Sequence, residues 1–124
     1  MHKILIIDDD EMQLKILSSI LAPEGYQIHA TADGPQGILI FKEQRPDLVL
    51  LDIGLPSMSG LEVLREIRDL EPNAKIIVIT GYGSVESVVL TIRSGACDFI
   101  HKPYNLEMLL KKIESTLNAS SPIS

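Results

Sequence analysis

Five side chains in this 124-residue chain could act together on a cation and an anion: Asp8, Asp9, Asp52, Thr80 and Lys102. The first two close the apolar run of "ILIIDDDE", where four aliphatic residues lead straight into four acids. Carboxylates gathered this closely repel one another, and a hard divalent cation relieves the repulsion. Mg²⁺ suits such a set, since it takes one or two carboxylates, keeps waters and shares its shell with phosphate oxygens; Mn²⁺ is a close substitute. No His-Cys cluster suggests zinc. A lysine ammonium can pair with an oxyanion and a threonine hydroxyl can hydrogen-bond one. An aspartate inside such a ring is a nucleophile for phosphoryl, giving an acyl phosphate. Catalysis then needs little beyond positioning and charge neutralisation.

These residues are far apart in the chain, so secondary structure must gather them. Short apolar runs at 4–7, 26–30, 48–51, 76–79 and 97–100 alternate with helix-period segments at 11–22, 34–44, 59–70, 84–94 and 105–118. Unbroken Ile, Leu and Val in the first, third and fourth runs predicts parallel strands covered by helices on both faces. In the third helix, Leu61, Leu64, Ile67 and Arg68 mark one face, with Glu62, Arg65, Glu66 and Asp69 outside it. Pro23-Glu24-Gly25, Arg45-Pro46, Glu71-Pro72-Asn73 and Ser94-Gly95 fall between elements as breakers. Five strand–helix alternations predict an open, doubly wound α/β sheet. Such sheets work at the C-terminal ends of their strands, where the five residues above would meet.

Bulk properties agree with one small globular domain, at 45% hydrophobic and 23% charged residues. A net charge of −6 argues against direct contact with nucleic acid. No stretch approaches a membrane span, and the opening residues do not resemble a secretory leader. Cys97 is the single cysteine, which predicts a reducing cytoplasmic setting and a small core residue.

At these residues the chain resembles the receiver domain of bacterial two-component response regulators. The resemblance rests on "ILIIDDDE", "PDLVLLDIGLPSMSGLEVL", "IIVITGYGSVES" and "GACDFIHKPY", in that order, and covers residues 3 to about 118. It implies a flavodoxin-like (βα)5 fold, with a five-stranded parallel sheet in the order 2-1-3-4-5. It implies a receiver domain over 1–118 and a tail, or the start of a linker to an output domain, over 119–124. By the same resemblance Asp52 accepts phosphoryl from a phosphohistidine on a sensor histidine kinase or phosphotransfer protein. Asp9, Asp52 and the backbone carbonyl of Gly54 hold Mg²⁺, and Asp8 holds it through a water. Lys102 and Thr80 contact the phosphoryl oxygens, Phe99 stands at the switch aromatic position, and the Lys102-Pro103 bond is cis. The wording of the last two stretches is most similar to receivers joined to transcription modules. The implied output surface is the fourth helix, fifth strand and fifth helix, where Leu90 is a candidate for contact with a homodimer partner or output domain. Such a protein modifies itself and turns over no external substrate, so it is not expected to be an enzyme.

Gly54 and Tyr82 depart from many relatives at positions flanking the acyl phosphate. Phe99 lacks a hydroxyl, so a switch there works by packing. Plainer roles stand beside these. Asp10 and Glu11 read as first-turn acids favoured by the helix dipole. His101 reads as exposed and idle. Gly60 reads as the residue that lets the preceding loop turn into the third helix. Leu14, Leu39 and Leu90 are expected to point outward, with Val85, Val88, Val89 and Ile92 forming the inner face of the fourth helix. Three rivals are a flavin carrier of flavodoxin type, an aspartyl phosphatase and a receiver acting only by protein contact. The acidic first loop opposes flavin phosphate, and Gly54 stands where the phosphatase needs a second aspartate.

Overall fold

The structure is a computed structural model describing residues 2–53, 59–81 and 85–119, the side chains of 85–88 excepted. Five strands, β1 (Lys3–Ile7), β2 (Gln27–Thr31), β3 (Leu48–Leu51), β4 (Ile76–Thr80) and β5 (Asp98–His101), alternate with five helices. The helices are α1 (Glu11–Leu21), α2 (Gly34–Gln44), α3 (Gly60–Leu70), α4 (Val85–Arg93) and α5 (Leu106–Asn118). The sheet runs β2-β1-β3-β4-β5 and each neighbouring pair is parallel. This is the flavodoxin-like (βα)5 arrangement that the sequence implies. Element bounds differ from the sequence expectation by about a residue, and β2 and β5 each begin and end one residue later.

Alternation along the strands explains why their sequences are apolar throughout. Leu5 and Ile7 of β1, Val49 and Leu51 of β3, and Ile76 and Val78 of β4 face one core with Ile38, Phe41, Val63, Leu64 and Ile67 of α2 and α3. Ile4, Ile6, Leu48, Leu50, Ile77, Ile79 and Ile100 face a second core with Leu14, Leu17 and Leu21 of α1 and Leu109, Ile113 and Leu117 of α5. Burying one such aliphatic side chain contributes about 1.5–3 kcal/mol.

The turns follow local chemistry. Asp10, Asp33, Ser59 and Asn105 cap α1, α2, α3 and α5, each accepting a hydrogen bond from an amide in the first turn. Arg45 closes α2 at φ +46°, and Gly25 and Gly95 take φ of +94° and +112° after α1 and α4. Among the described residues no helix is long and apolar enough to cross a membrane.

Four expectations need correction. Leu14 is 7% exposed and belongs to the α1–α5 core, whereas Leu39 is half-exposed as expected. Val89 and Ile92 do not face inward: they are 43% and 44% exposed, and Thr91 is the buried residue of that turn. By spacing Val89 and Ile92 share one apolar face with Val85 and Val88, so their exposure comes from what packs on the helix and not from its periodicity; the expectations for Val85 and Val88 lie outside the described side chains. Asp10 is the cap of α1 rather than a residue of its first turn. Cys97 is half-buried and joins neither core; it precedes β5 instead of opening it.

Candidate functional site

The ladder of the sheet places the polar residues. It continues one step beyond the strands. The Asp8 amide donates to the Thr31 carbonyl at 3.2 Å, the Asp52 amide to the Ile7 carbonyl at 2.9 Å and the Lys102 amide to the Thr80 carbonyl at 2.9 Å. Each backbone is therefore still held in sheet geometry where its side chain turns toward the rim. Asp8, Asp9, Asp52, Thr80 and Lys102 all lie at this C-terminal edge.

There, Lys102 Nζ donates to Asp8 Oδ2 at 3.0 Å and to Asp52 Oδ2 at 3.2 Å. Asp8, Asp9 and Asp52 each offer a carboxylate oxygen within 4.8 Å of the other two. Asp8 and Asp52 are buried, Asp9 is exposed and Thr80 is fully buried. An open depression of about 540 Å³ is lined by Asp9, Asp10, Asp52, Gly81 and Lys102. The acids thus form its floor and wall, with the ammonium beside them.

The electrostatics have one sign. Burial raises Asp8 above the ordinary carboxylate range and the charge on Asp52 adds to this. The Asp10 amide, which donates to Asp8 Oδ1 at 2.9 Å, and Lys102 oppose the rise. Burial works against the charge on Lys102, but Asp8 and Asp52 together raise it above the usual lysine value. Both groups hold their protons more tightly, Asp8 chiefly through burial and Lys102 through its two carboxylate partners. Three carboxylates face one ammonium, so the cluster favours further positive charge. A hard divalent cation supplies that charge, and an all-oxygen donor set that is partly open to water fits it.

A family model for the response regulator receiver domain matches residues 4–114. The chain belongs to the response regulator receiver domain family. This receiver domain is 38% identical to the chemotaxis protein CheY of Bacillus subtilis over 118 residues, covering 94% of this chain and 98% of that one. It is 34% identical to the regulatory protein AtoC of Escherichia coli, covering 97% of this chain but only 26% of AtoC. A CheY-like receiver domain from Methanospirillum hungatei superposes with a TM-score of 0.92 at 38% identity, covering 95% and 94% of the two chains. As a receiver domain, the chain is a signalling module rather than a conventional enzyme.

Other predicted positions of the receiver fall as follows. The Lys102-Pro103 bond is cis. Phe99 is half-buried against the core beneath α2 and α3. Leu90 is 43% exposed on α4. His101 is exposed. Gly54 and Tyr82 lie outside the described residues.

The sequence reading missed two supports of the site. One is the Asp10 amide on Asp8, which an Asp in the loop before a helix could have signalled. The other is the packing of Gly60 against the chain carrying Asp52, which spacing alone does not reveal. A third tie lies nearby: the Tyr104 hydroxyl donates to Gln13 Oε1 at 3.3 Å and fastens the segment after Pro103 to α1.

Proposed function

We propose that this receiver domain is a phosphorylation switch whose acceptor is Asp52. A carboxylate oxygen of Asp52 attacks the phosphorus of a phosphohistidine on a sensor histidine kinase or phosphotransfer protein. The P–O bond forms as the P–N bond breaks, and histidine leaves. The observation that carries this reading is the bridge of Lys102 Nζ between Asp8 and Asp52, with Asp9 in the same cluster. Asp9, Asp52 and the Gly54 carbonyl, with Asp8 through a water, are the residues that would hold Mg²⁺. The cation supplies charge neutralisation when bound. Lys102 keeps an ammonium beside the accepting oxygen and orients it.

The signal then follows from packing. Phosphoryl oxygens at Asp52 offer a new acceptor to the Thr80 hydroxyl, and movement of Thr80 changes the space open to Phe99. The population of the α4–β5–α5 surface shifts, with Leu90 on its exposed side, without a new fold. The destination is an output domain, most simply a transcription module, or a partner or second copy on that face. The setting is the cytoplasm, and neither nucleic acid nor membrane is a direct partner of this domain.

Acetyl phosphate with Mg²⁺ should add one phosphoryl group to the wild type, seen as a mass increase. Asp52→Asn should show none. Full labelling of that variant would overturn the assignment.

A further inference from the structure

α4 is lightly anchored over its last described turns. Val89, Leu90 and Ile92 are 43%, 43% and 44% exposed, and Thr91 is buried. A polar tie holds that end. Arg68, in the last turn of α3, donates through Nη1 to the Pro72 carbonyl at 2.7 Å and through Nη2 to the Gly95 carbonyl. One guanidinium fork thus joins the chain just beyond α3 to the chain just beyond α4. Both are the negative ends of helix dipoles, where a cation is favoured.

The fit depends on Gly95. Its φ of +112° suits glycine, and a Cβ there would stand 2.6 Å from Arg68 Nε and 3.3 Å from Arg68 Cγ. Around it the backbone is closed. The Gly95 amide donates to Ile92 O at 3.0 Å, the Ala96 amide to Thr91 O at 3.3 Å and the Cys97 amide to Ile76 O at 2.7 Å. The C-terminal end of α4 is therefore fastened to α3 and the sheet. Its other end, Val85, follows Thr80 by five residues.

We propose that Arg68 and Gly95 form a pivot that fixes the C-terminal end of α4, so that its response to phosphorylation is confined to the end next to Thr80. This rests on the switch reading above. A helix whose described apolar side chains are half-exposed and whose one end is fastened has a small free-energy gap between tilts and a defined hinge. Arg68 is then a positioning residue, distant from the chemistry.

Two measurements on the full chain test this. The first needs no phosphoryl mimic: amide hydrogen exchange in the wild type, Arg68→Met and Gly95→Ala, each checked for folding by circular dichroism. Arg68→Met keeps the stem and loses both donors; Gly95→Ala keeps the donors and spoils the fit. In both, the Gly95 and Ala96 amides should exchange on the order of ten-fold faster or more, with the β1 and β3 amides unchanged. If either variant does not fold, the other decides the matter, and rates equal to wild type would overturn the pivot. The second adds beryllofluoride and Mg²⁺ to wild type. Amide shifts should concentrate at residues 85–90, with 94–97 and Arg68 Nε nearly still. Shifts as large at 94–97 would overturn the pivot while leaving the switch intact. No response at Asp52, Thr80 and Lys102 would instead overturn the phosphorylation reading, and the exchange comparison would then judge the clamp alone.

Discussion

Gly60 packs directly onto the backbone of Ile53. Its amide donates to the Ile53 carbonyl at 3.2 Å. A Cβ at Gly60 would stand 2.8 Å from the Asp52 carbonyl oxygen and 2.9 Å from the Ile53 carbonyl carbon. These atoms are backbone, so they cannot rotate away. The first turn of α3 therefore presses on the segment that carries Asp52, the proposed acceptor. Gly60→Ala should cost about 1–3 kcal/mol of stability. It should also slow phosphoryl uptake by on the order of ten- to a hundred-fold, through displacement of Asp52. Gly37→Ala is the comparison: there the nearest atoms are side-chain atoms of the buried Ile7 and not the backbone that carries Asp52. Denaturant unfolding and acetyl phosphate labelling of both variants would test the contrast, and equal labelling by Gly60→Ala and Gly37→Ala would refute it.

Ionised Asp8 should make the metal-free fold less stable at neutral pH. Burial, and then the charge on Asp52, raise its carboxyl above the ordinary value of 3.8. A folded-state value above the unfolded one means that the folded protein gives up this proton later. The group's favourable contribution is complete below the unfolded value and is lost as pH rises through the folded one. Asp8→Asn should therefore raise the thermal midpoint by a few degrees at pH 7 in chelator, and the gain should shrink on acidification. Mg²⁺ should stabilise the wild type and leave Asp8→Asn nearly unmoved. Thermal scans with and without Mg²⁺ measure both effects; equal Mg²⁺ stabilisation of the two proteins would remove Asp8 from the metal site.

Lys102 acts in the opposite direction. Despite the burial that opposes its charge, Asp8 and Asp52 hold it above the lysine value of 10.5. Its pairing thus stabilises the fold through neutral pH and is lost only as pH rises through that raised value. The Lys102 side chain is only 20% exposed, and its ammonium bonds two buried carboxylates. Lys102→Met leaves them facing each other without it and should cost about 1–3 kcal/mol in metal-free buffer at pH 7. The difference from wild type should fade in strongly alkaline buffer. Unfolding curves across that range check the sign, and a variant as stable as wild type at pH 7 would contradict the bridge.

Lys75 closes the far end of the molecule. Its Nζ donates to the carbonyls of Leu117 at 3.0 Å and Ala119 at 2.6 Å, at the C-terminal end of α5. A cation there satisfies carbonyls that the helix leaves unpaired and favours the helix dipole. Lys75→Met should lower stability by about 1 kcal/mol and speed amide exchange in the last turn of α5. Exchange measured by mass spectrometry on peptides from α5 would show it, and unchanged protection would mean that the cap contributes nothing.

The sequence by itself determined which residues meet and at which edge. "LVLL" at 48–51 and "IIVI" at 76–79 are apolar at every position, and only a strand covered on both faces buries them all. Once five such strands alternate with helices, Asp8, Asp52, Thr80 and Lys102 fall at strand ends by their place in the chain. Local breakers did the rest, as Gly25, Arg45 and Gly95 at positive φ bear out. The tertiary structure decided what periodicity could not. Leu14 turned inward because α5 lies beside α1, and a single helix does not state its neighbour. Val89 and Ile92 are half-exposed although their spacing puts them on one apolar face, because a helix takes its inner face from whatever packs on it. The reach of Arg68 to Gly95 joins segments 27 residues apart, so no pattern within either segment encodes it, and the close contact of Gly60 with Ile53 depends on how the intervening chain returns. Patterns of residue type report each element's own solvation, whereas close approach between elements is fixed only when all of them pack at once.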